Sequence, residues 1–181
     1  MLNQLNKRLL NNIKEFVSLN IFKFACLMLV LSLPNASVAS PKLGDRFGDW
    51  TYGCSGKEDK KENCFLSQTI VEKATNKSVL ILQFARNEQT KDLVLTAIMP
   101  LGIHFPAAVV ANIDNKEAFK FTLLSCLNIG CIGTYAPDRT GKNALFAGKT
   151  LDIKFAVDAG KKPVVIKASL LGLSDAIKVL Y

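Results

Sequence analysis

The four cysteines that follow residue 39 are the side chains with the greatest capacity for chemistry. Cys54 and Cys64 lie ten positions apart, and Cys126 and Cys131 lie five apart. In an exported chain an even set of cysteines favours two disulfides, most simply these local pairs, although four cysteines also permit other connectivities. The alternative is a four-thiolate zinc site, but such sites usually contain close C-x2-C pairs, which are missing here. The sequence therefore predicts two structural cystines.

The cysteines and the histidine do not form a common catalytic motif in the sequence. No cysteine forms a C-x-x-C pair ahead of a helix, and His104 is the only histidine, between Ile103 and Phe105. A catalytic triad would need a nucleophile and an acid brought to that histidine. The sequence has no HExxH, no phosphate loop and no GxGxxG motif, which are the common short signatures of metal and nucleotide sites. We therefore expect no enzymatic activity, no metal and no cofactor. A periplasmic enzyme or redox protein of unknown substrate is the alternative.

The first forty residues have the pattern of an export signal. Several basic residues lead into the apolar run Phe24–Leu33, and small residues follow at Ser37–Ala39. This order predicts a signal peptide over residues 1–39, cleaved after Ala39. The alternative is an uncleaved anchor over Phe16–Leu33, but polar residues interrupt that stretch and its purely apolar part is short for a membrane span. We expect an exported protein with no transmembrane span after processing.

The charge of the remaining chain is moderately basic. Residues 40–181 contain 19 lysines and arginines against 14 aspartates and glutamates, a net charge of +5. The lysines are spread among many predicted turns and do not alternate with aromatic residues, so the sequence predicts no nucleic-acid binding. A weak attraction to anionic lipid or glycan surfaces stays open, and it would fade with added salt.

Alternating apolar and polar residues predict a mainly β domain over residues 40–181. The expected fold is an antiparallel β-sandwich or bent sheet of about eight short strands, with one or two short helices and a C-terminal helix last. Trp50, Phe119, Phe121 and Ile153 are the expected core. The predicted strands lie around Phe47 to Tyr52 and at residues 64–71, 79–84, 93–99, 107–113, 119–124, 151–157 and 164–170, with helices at 143–147 and, capped by Ser174, at 175–180.

Two prolines bracket an apolar stretch between the predicted strands. In this proline-bracketed segment, residues 100–106, the candidate partner-binding residues are Leu101, Ile103, His104 and Phe105. Proline within a β-rich run is typical of a sheet edge, a strand start or a bulge, so some apolar surface here is expected to reach solvent. The alternative is that these side chains fold back into the core.

Several short motifs occur together in a fixed order along residues 40–181. They are Gly48-Asp49-Trp50 with Cys54, Cys64-Phe65-Leu66-Ser67-Gln68, Met99-Pro100-Leu101-Gly102 with Phe105-Pro106, Cys126 to Gly130-Cys131, and Ser169-Leu170-Leu171-Gly172-Leu173 followed by Ala176. Together with the predicted signal peptide, these motifs resemble the invasion-associated locus B family of bacterial exported proteins. The resemblance implies a periplasmic, outer-membrane-associated or secreted protein with no established enzymatic chemistry, linked in some pathogens to entry into host cells. Its implied partner is a protein or another component of the envelope, or the host-cell surface.

Overall fold

Antiparallel strands dominate the chain and follow one another in a single open sheet. The computed structural model describes residues 40–55, 64–157 and 162–181. The predicted signal peptide, residues 1–39, lies outside these ranges. Within them, ten strands are ordered β1-β2-β3-β4-β5-β8-β7-β6-β9-β10. Their bounds are β1 Arg46–Phe47, β2 Trp50–Cys54, β3 Cys64–Val71, β4 Ser78–Arg86, β5 Leu93–Met99, β6 Val109–Ile113, β7 Lys116–Leu127, β8 Gly130–Tyr135, β9 Thr150–Phe155 and β10 Val164–Ser169.

Among the described residues, the helical segments are short and lie after strand β8. They are α1 Arg139–Ala147, α2 Leu173–Ala176 and a 3₁₀ helix at Ile177–Leu180, which is the last element. The fold class predicted from the sequence, mainly β with a C-terminal helix last, is confirmed. Along the described residues, no helix is both long enough and apolar enough to cross a membrane.

The long strand β7 divides the sheet into two halves. Its first part, Lys116 to Phe121, pairs with β6, and its second part, from Thr122 to Leu127, pairs with β8. The register shifts between Leu123 and Ser125, where a bulge interrupts the ladder; such bulges bend a strand and increase its twist. We call β1–β5, β8 and the second part of β7 half A, and the first part of β7 with β6, β9 and β10 half B.

The core follows from the period-two alternation of the strands. In β4, Leu80, Leu82 and Phe84 are buried, whereas the residues between them are half-buried on the other side of the sheet. The predicted core residues Trp50, Phe119, Phe121 and Ile153 are all buried, as expected. The Trp50 ring lies 5.2 Å from that of Phe84 between ring centroids, which is within the range of favourable aromatic pairs.

A buried glutamine links half A to half B. The Gln68 side chain on β3 donates from Nε2 to the Ser169 carbonyl at 3.1 Å, and its Oε1 accepts from the Ser169 N–H at 2.9 Å. The amide therefore provides the donor and acceptor that a neighbouring strand would offer to the end of β10. Because unpaired buried polar groups are costly, this double contact fixes where β10 meets β3.

Three local predictions need correction. Strand β8 was not predicted. Helix α1 begins four residues before the predicted Asn143, because the Asp138 side chain caps it by accepting from the Gly141 N–H at 2.7 Å. The last helix is preceded by Gly172 and has no side-chain cap, so the expected Ser174 cap is wrong. Gly172 has a φ of +83°, and a Cβ there would collide with the Phe47 carbonyl, so glycine is required at this close approach.

The turn between β6 and β7 is joined to β9 by one carboxylate. Asp114 and Asn115 have φ values of +48° and +67°, which two-residue hairpin turns of type I′ require. The Asp114 carboxylate accepts from the Thr150 N–H at 2.9 Å, the Thr150 hydroxyl at 3.1 Å and the Lys149 N–H at 3.1 Å. The backbone bond from Thr150, followed by that from Lys149, holds the pKa of Asp114 below its usual value.

We expect Asp114→Asn to lower stability at neutral pH, because the neutral amide keeps the turn geometry and loses the charge. A depressed pKa in the folded state stabilises the protein above the unfolded-state pKa, about 3.9, and that stabilisation disappears as the pH falls through the lower folded-state value. Urea unfolding of the wild type and the variant from neutral pH to below pH 4 checks this. A stability difference that stays constant over the whole pH range would contradict the role of the charge.

Candidate functional site

Both cystines join strand positions that lie directly opposite each other. Cys54 on β2 is bonded to Cys64 on β3, and Cys126 on β7 is bonded to Cys131 on β8. These are the local pairs that the sequence favours. In the described part of the chain every cysteine is therefore bonded, and none serves there as a thiolate ligand or nucleophile. Disulfides of this kind fit a location outside the cytoplasm.

The proline-bracketed segment is divided between the surface and the core. Leu101 and Phe105 have 57% and 51% of their surface exposed, whereas Ile103 has 7% exposed. Gly102 has a φ of +90°, which interrupts the alternation of an extended chain, so Leu101 and Ile103 need not share a side. The His104 N–H donates to the Ala156 carbonyl at 2.8 Å and fixes the segment beside the end of β9. The expectation that Ile103 reaches solvent is wrong.

The turn of the hairpin between β7 and β8 lies at the same end of the strands as the start of this segment. Met99, the last residue of β5, pairs with Cys131 near the start of β8. Just past that pair lie Leu101 on one side and Ile129 on the other, and Ile129 is 69% exposed. A Cβ at Gly130 would collide with the Met99 carbonyl, so the hairpin lies directly against the end of β5.

Exposed apolar side chains thus lie on this hairpin and on the proline-bracketed segment, which begins where the hairpin packs against the end of β5. Leu127 is 53% exposed and belongs to the same hairpin. We call Leu101, Phe105, Leu127 and Ile129 the apolar tip. The sequence prediction found the first two through the prolines. It missed Leu127 and Ile129, although two large apolar residues around Asn128 in a short cystine-closed loop were an available signal.

A second feature is an open cleft of about 760 Å³ between α1 and the β6–β7 hairpin. Its floor includes Phe119 and Tyr135, whose rings are stacked with centroids 3.8 Å apart and planes within 5°. Desolvation, and then the nearby charge of Asp138, raise the pKa of the Tyr135 hydroxyl, so the phenol stays protonated at neutral pH. The rim carries Lys116 and Glu117.

Two of the three carboxylates that line this cleft already accept backbone hydrogen bonds. Asp114 accepts from Thr150 and Lys149, and Asp138 accepts from the Gly141 N–H. His104 is not among the lining residues. Over the ranges that the structure describes, no group of three or more His, Cys, Asp or Glu side chains could hold a metal ion. The apolar tip is therefore the candidate functional site.

Comparison with known proteins agrees with the order of motifs in the chain. The family model described as "Invasion associated locus B (IalB) protein" matches residues 50–180. The chain belongs to this family. The match extends from β2 through the last helical turn and so includes both cystines and the apolar tip.

A solved relative in this family has the same architecture. The crystal structure of invasion associated protein b from Bartonella henselae superposes with a TM-score of 0.67 at 26% sequence identity, covering 77% of this chain and 95% of that one. No curated protein sequence matches this IalB chain significantly. The mainly β architecture is therefore shared with an experimentally solved family member.

We expect Ile103→Ser to destabilise the domain by about 2 to 4 kcal/mol, because it removes a buried aliphatic side chain and leaves a hydroxyl in its place. Phe121→Ala should cost a similar amount, about 3 to 5 kcal/mol. Leu101→Ser, on the exposed side of the same segment, should change stability by less than about 0.5 kcal/mol. Urea denaturation measures all three. Equal stability of the Ile103 and Leu101 variants would show that Ile103 is not held in the core.

Proposed function

We propose that this protein is an exported, non-enzymatic protein of the cell envelope that binds a partner in the envelope or on the host-cell surface through its apolar tip. The observation that carries the proposal is the tip itself, where each of the four apolar side chains is more than half exposed. Large apolar side chains that are grouped on a protein surface often mark an interaction site, because a surface that contacts only water rarely carries such a group. The link to invasion comes from membership of the IalB family.

The tip is held in place before any partner arrives. Pro100 and Pro106 restrict the backbone on either side of Leu101 and Phe105, and the Cys126–Cys131 bond closes the hairpin that carries the other two residues. A surface that is already ordered loses less conformational entropy on binding. This preorganisation supports a binding role for side chains that contribute little to the core.

The proposed export and the proposed lack of catalytic activity are supported by different observations. Two cystines and the signal-peptide pattern of residues 1–39 support a periplasmic, outer-membrane-associated or secreted location. The bonded cysteines and the engaged Asp114 support a protein without catalytic chemistry. Turnover by the purified protein in hydrolase or thiol-oxidoreductase assays would favour the alternative, a periplasmic enzyme or redox protein.

Export is tested with the full chain carrying a C-terminal tag. We expect the protein recovered from the periplasm, the outer membrane or the medium to begin at Ser40, because signal peptidase selects the small residues at Ser37 and Ala39. N-terminal sequencing of each fraction measures this. Envelope-bound protein that still begins at Met1 would show instead that the leader is retained as an anchor.

Partner binding is tested by crosslinking capture from bacterial envelopes and from host membranes. We expect the double variant Leu101→Ser, Phe105→Ser to capture its partner at least about tenfold less well, the effect of losing interface anchors worth more than about 1.4 kcal/mol. Melting temperature should stay close to the wild-type value, because both side chains are exposed.

The matched control changes two exposed valines away from the tip, Val164→Ser and Val165→Ser on β10. It removes a similar number of apolar side chains from the surface and should leave capture unchanged. Equal capture by the tip variant and the wild type, with both folded, would contradict the proposed role of the apolar tip.

A further inference from the structure

The side of half A that faces away from the core forms a second extended surface. Directly opposed residues of an antiparallel ladder lie on the same face of a sheet, so the pairings place its residues in rows across the strands. The first row contains Ile81, Ile98 and Ile132 with Thr69 and Ser125. The second contains Gln83, Thr96, Thr134 and Thr122 with Ser67 and Thr51, and the third contains Phe65, Ala85 and Val94 with Gly53. All of these residues are half-buried or exposed. We call this the outer face.

None of these outer-face positions holds a charged residue. The chain as a whole is 21% charged, and a solvated face of an antiparallel sheet usually alternates charged and polar residues outward. The corresponding face of half B follows that rule, since Lys120, Lys154 and Lys167 alternate there with neutral residues and Asp152 pairs with Lys167. The outer face from β2 to β7 therefore lacks charge, and Arg46 on β1, which pairs with Thr51, lies at its margin.

The helical segments described above add their buried side chains to the core on the other side of the sheet, including Leu145, Leu173, Ile177 and Leu180. On the outer face itself, the Phe65 ring packs over Gly53, where a Cβ would lie 3.0 Å from the ring. The outer face thus has a row of branched aliphatic side chains next to a row of hydroxyl and amide groups.

The outer face has the size of a protein interface. Strands lie about 4.8 Å apart and alternate residues about 6.8 Å apart. The polar row crosses six strands and spans about 24 Å, the other two rows cross five and four strands and span about 19 Å and 14 Å, and the three rows together extend about 14 Å along the strands. With the side chains around its margin, the surface approaches the ~800 Å² that each partner buries in a standard interface. A contact of this size and mixed polarity is typical of a reversible association.

We propose that the outer face is the interface of a homodimer, in which two copies stack their outer faces around a two-fold axis. Residues 40–181 carry a net charge of +5, so two copies repel each other wherever lysines approach. The uncharged outer face lets them meet without any pair of like charges. Stacked sheets with interleaved aliphatic side chains are also a common packing arrangement.

The polar row supports a second copy as the occupant. Around a two-fold axis the same patch meets itself, so each group must be able to pair with its own kind. Hydroxyl and amide groups such as Thr96, Thr134 and Gln83 both donate and accept hydrogen bonds, whereas ammonium groups only donate and carboxylates only accept. A lipid surface would leave this row without partners in the acyl region, and a strongly charged partner would meet no counter-charge.

This inference goes beyond the proposed function and uses none of the four residues of the apolar tip. The test is analytical ultracentrifugation of the processed, disulfide-bonded protein over a concentration series that reaches the high micromolar range. We expect the average mass to rise from one chain towards two. Added salt should strengthen the association, because it screens the repulsion between the basic copies.

Two substitutions and one control locate the interface. Ile98→Lys, in the middle of the isoleucine row, should raise the dissociation constant at least about tenfold by placing like charges in the contact. Gln83→Lys tests the polar row with a side chain that is already long and half-buried, in case the first variant disturbs the sheet. Val165→Lys adds the same charge on exposed β10 and should dimerise like the wild type.

A wild-type protein that stays monomeric at every concentration overturns the proposal. It is also overturned if both face variants dimerise normally, or if Leu101→Ser abolishes the dimer and so moves the interface to the apolar tip. Zwitterionic phosphatidylcholine vesicles complete the design: wild-type binding that Ile98→Lys abolishes, without a wild-type dimer, would assign the face to a lipid surface instead.

Discussion

The continuity of β7 is the constraint on which the rest of the structure depends. One strand supplies the edge of half B to β6 and the edge of half A to β8, so the halves share a backbone and cannot be arranged independently. The bulge at Leu124 allows the change of direction between the two ladders. Gln68 then joins β3 to β10 far from that bend, and the core lies between these two connections.

The path of β7 also explains why the hairpin residues of the apolar tip are exposed to solvent. The second part of β7 continues past the last buried residues of the core and carries β8 with it, so the hairpin ends beyond the layer that could cover Leu127 and Ile129. The Cys126–Cys131 bond holds the hairpin closed at that point. By loop-closure reasoning a disulfide around so short a loop restricts the unfolded chain by roughly 2 kcal/mol, which helps to keep an uncovered hairpin ordered.

The sequence predicted those elements whose pattern is local. Strands β3 and β5 have the predicted bounds, because each is a run of branched and large apolar residues between turn signals. Strand β8 was missed because Gly130 and Gly133 interrupt its pattern. In the fold, Gly133 leaves room for Met99 and Phe121, whose atoms lie 3.2 Å from where its Cβ would be. The burial of Ile103 and the position of the outer face also depend on tertiary geometry. Both sides of β4 are apolar, so alternation alone could not tell which side faces the core.

The position of the tip relative to the outer face gives the proposed dimer a direction. The isoleucine row lies on the tip side of the polar row, and the charged turn at residues 87–92 lies beyond the opposite row. A two-fold axis across the strands would move the isoleucines of one copy towards the charged turn of the other. An axis parallel to the strands places the isoleucine row over its own counterpart and the polar row over its own, which matches like with like. That axis sets both apolar tips of the proposed dimer at the same end, so that a single partner surface would be engaged twice, and the second contact would be governed by effective concentration and not by diffusion.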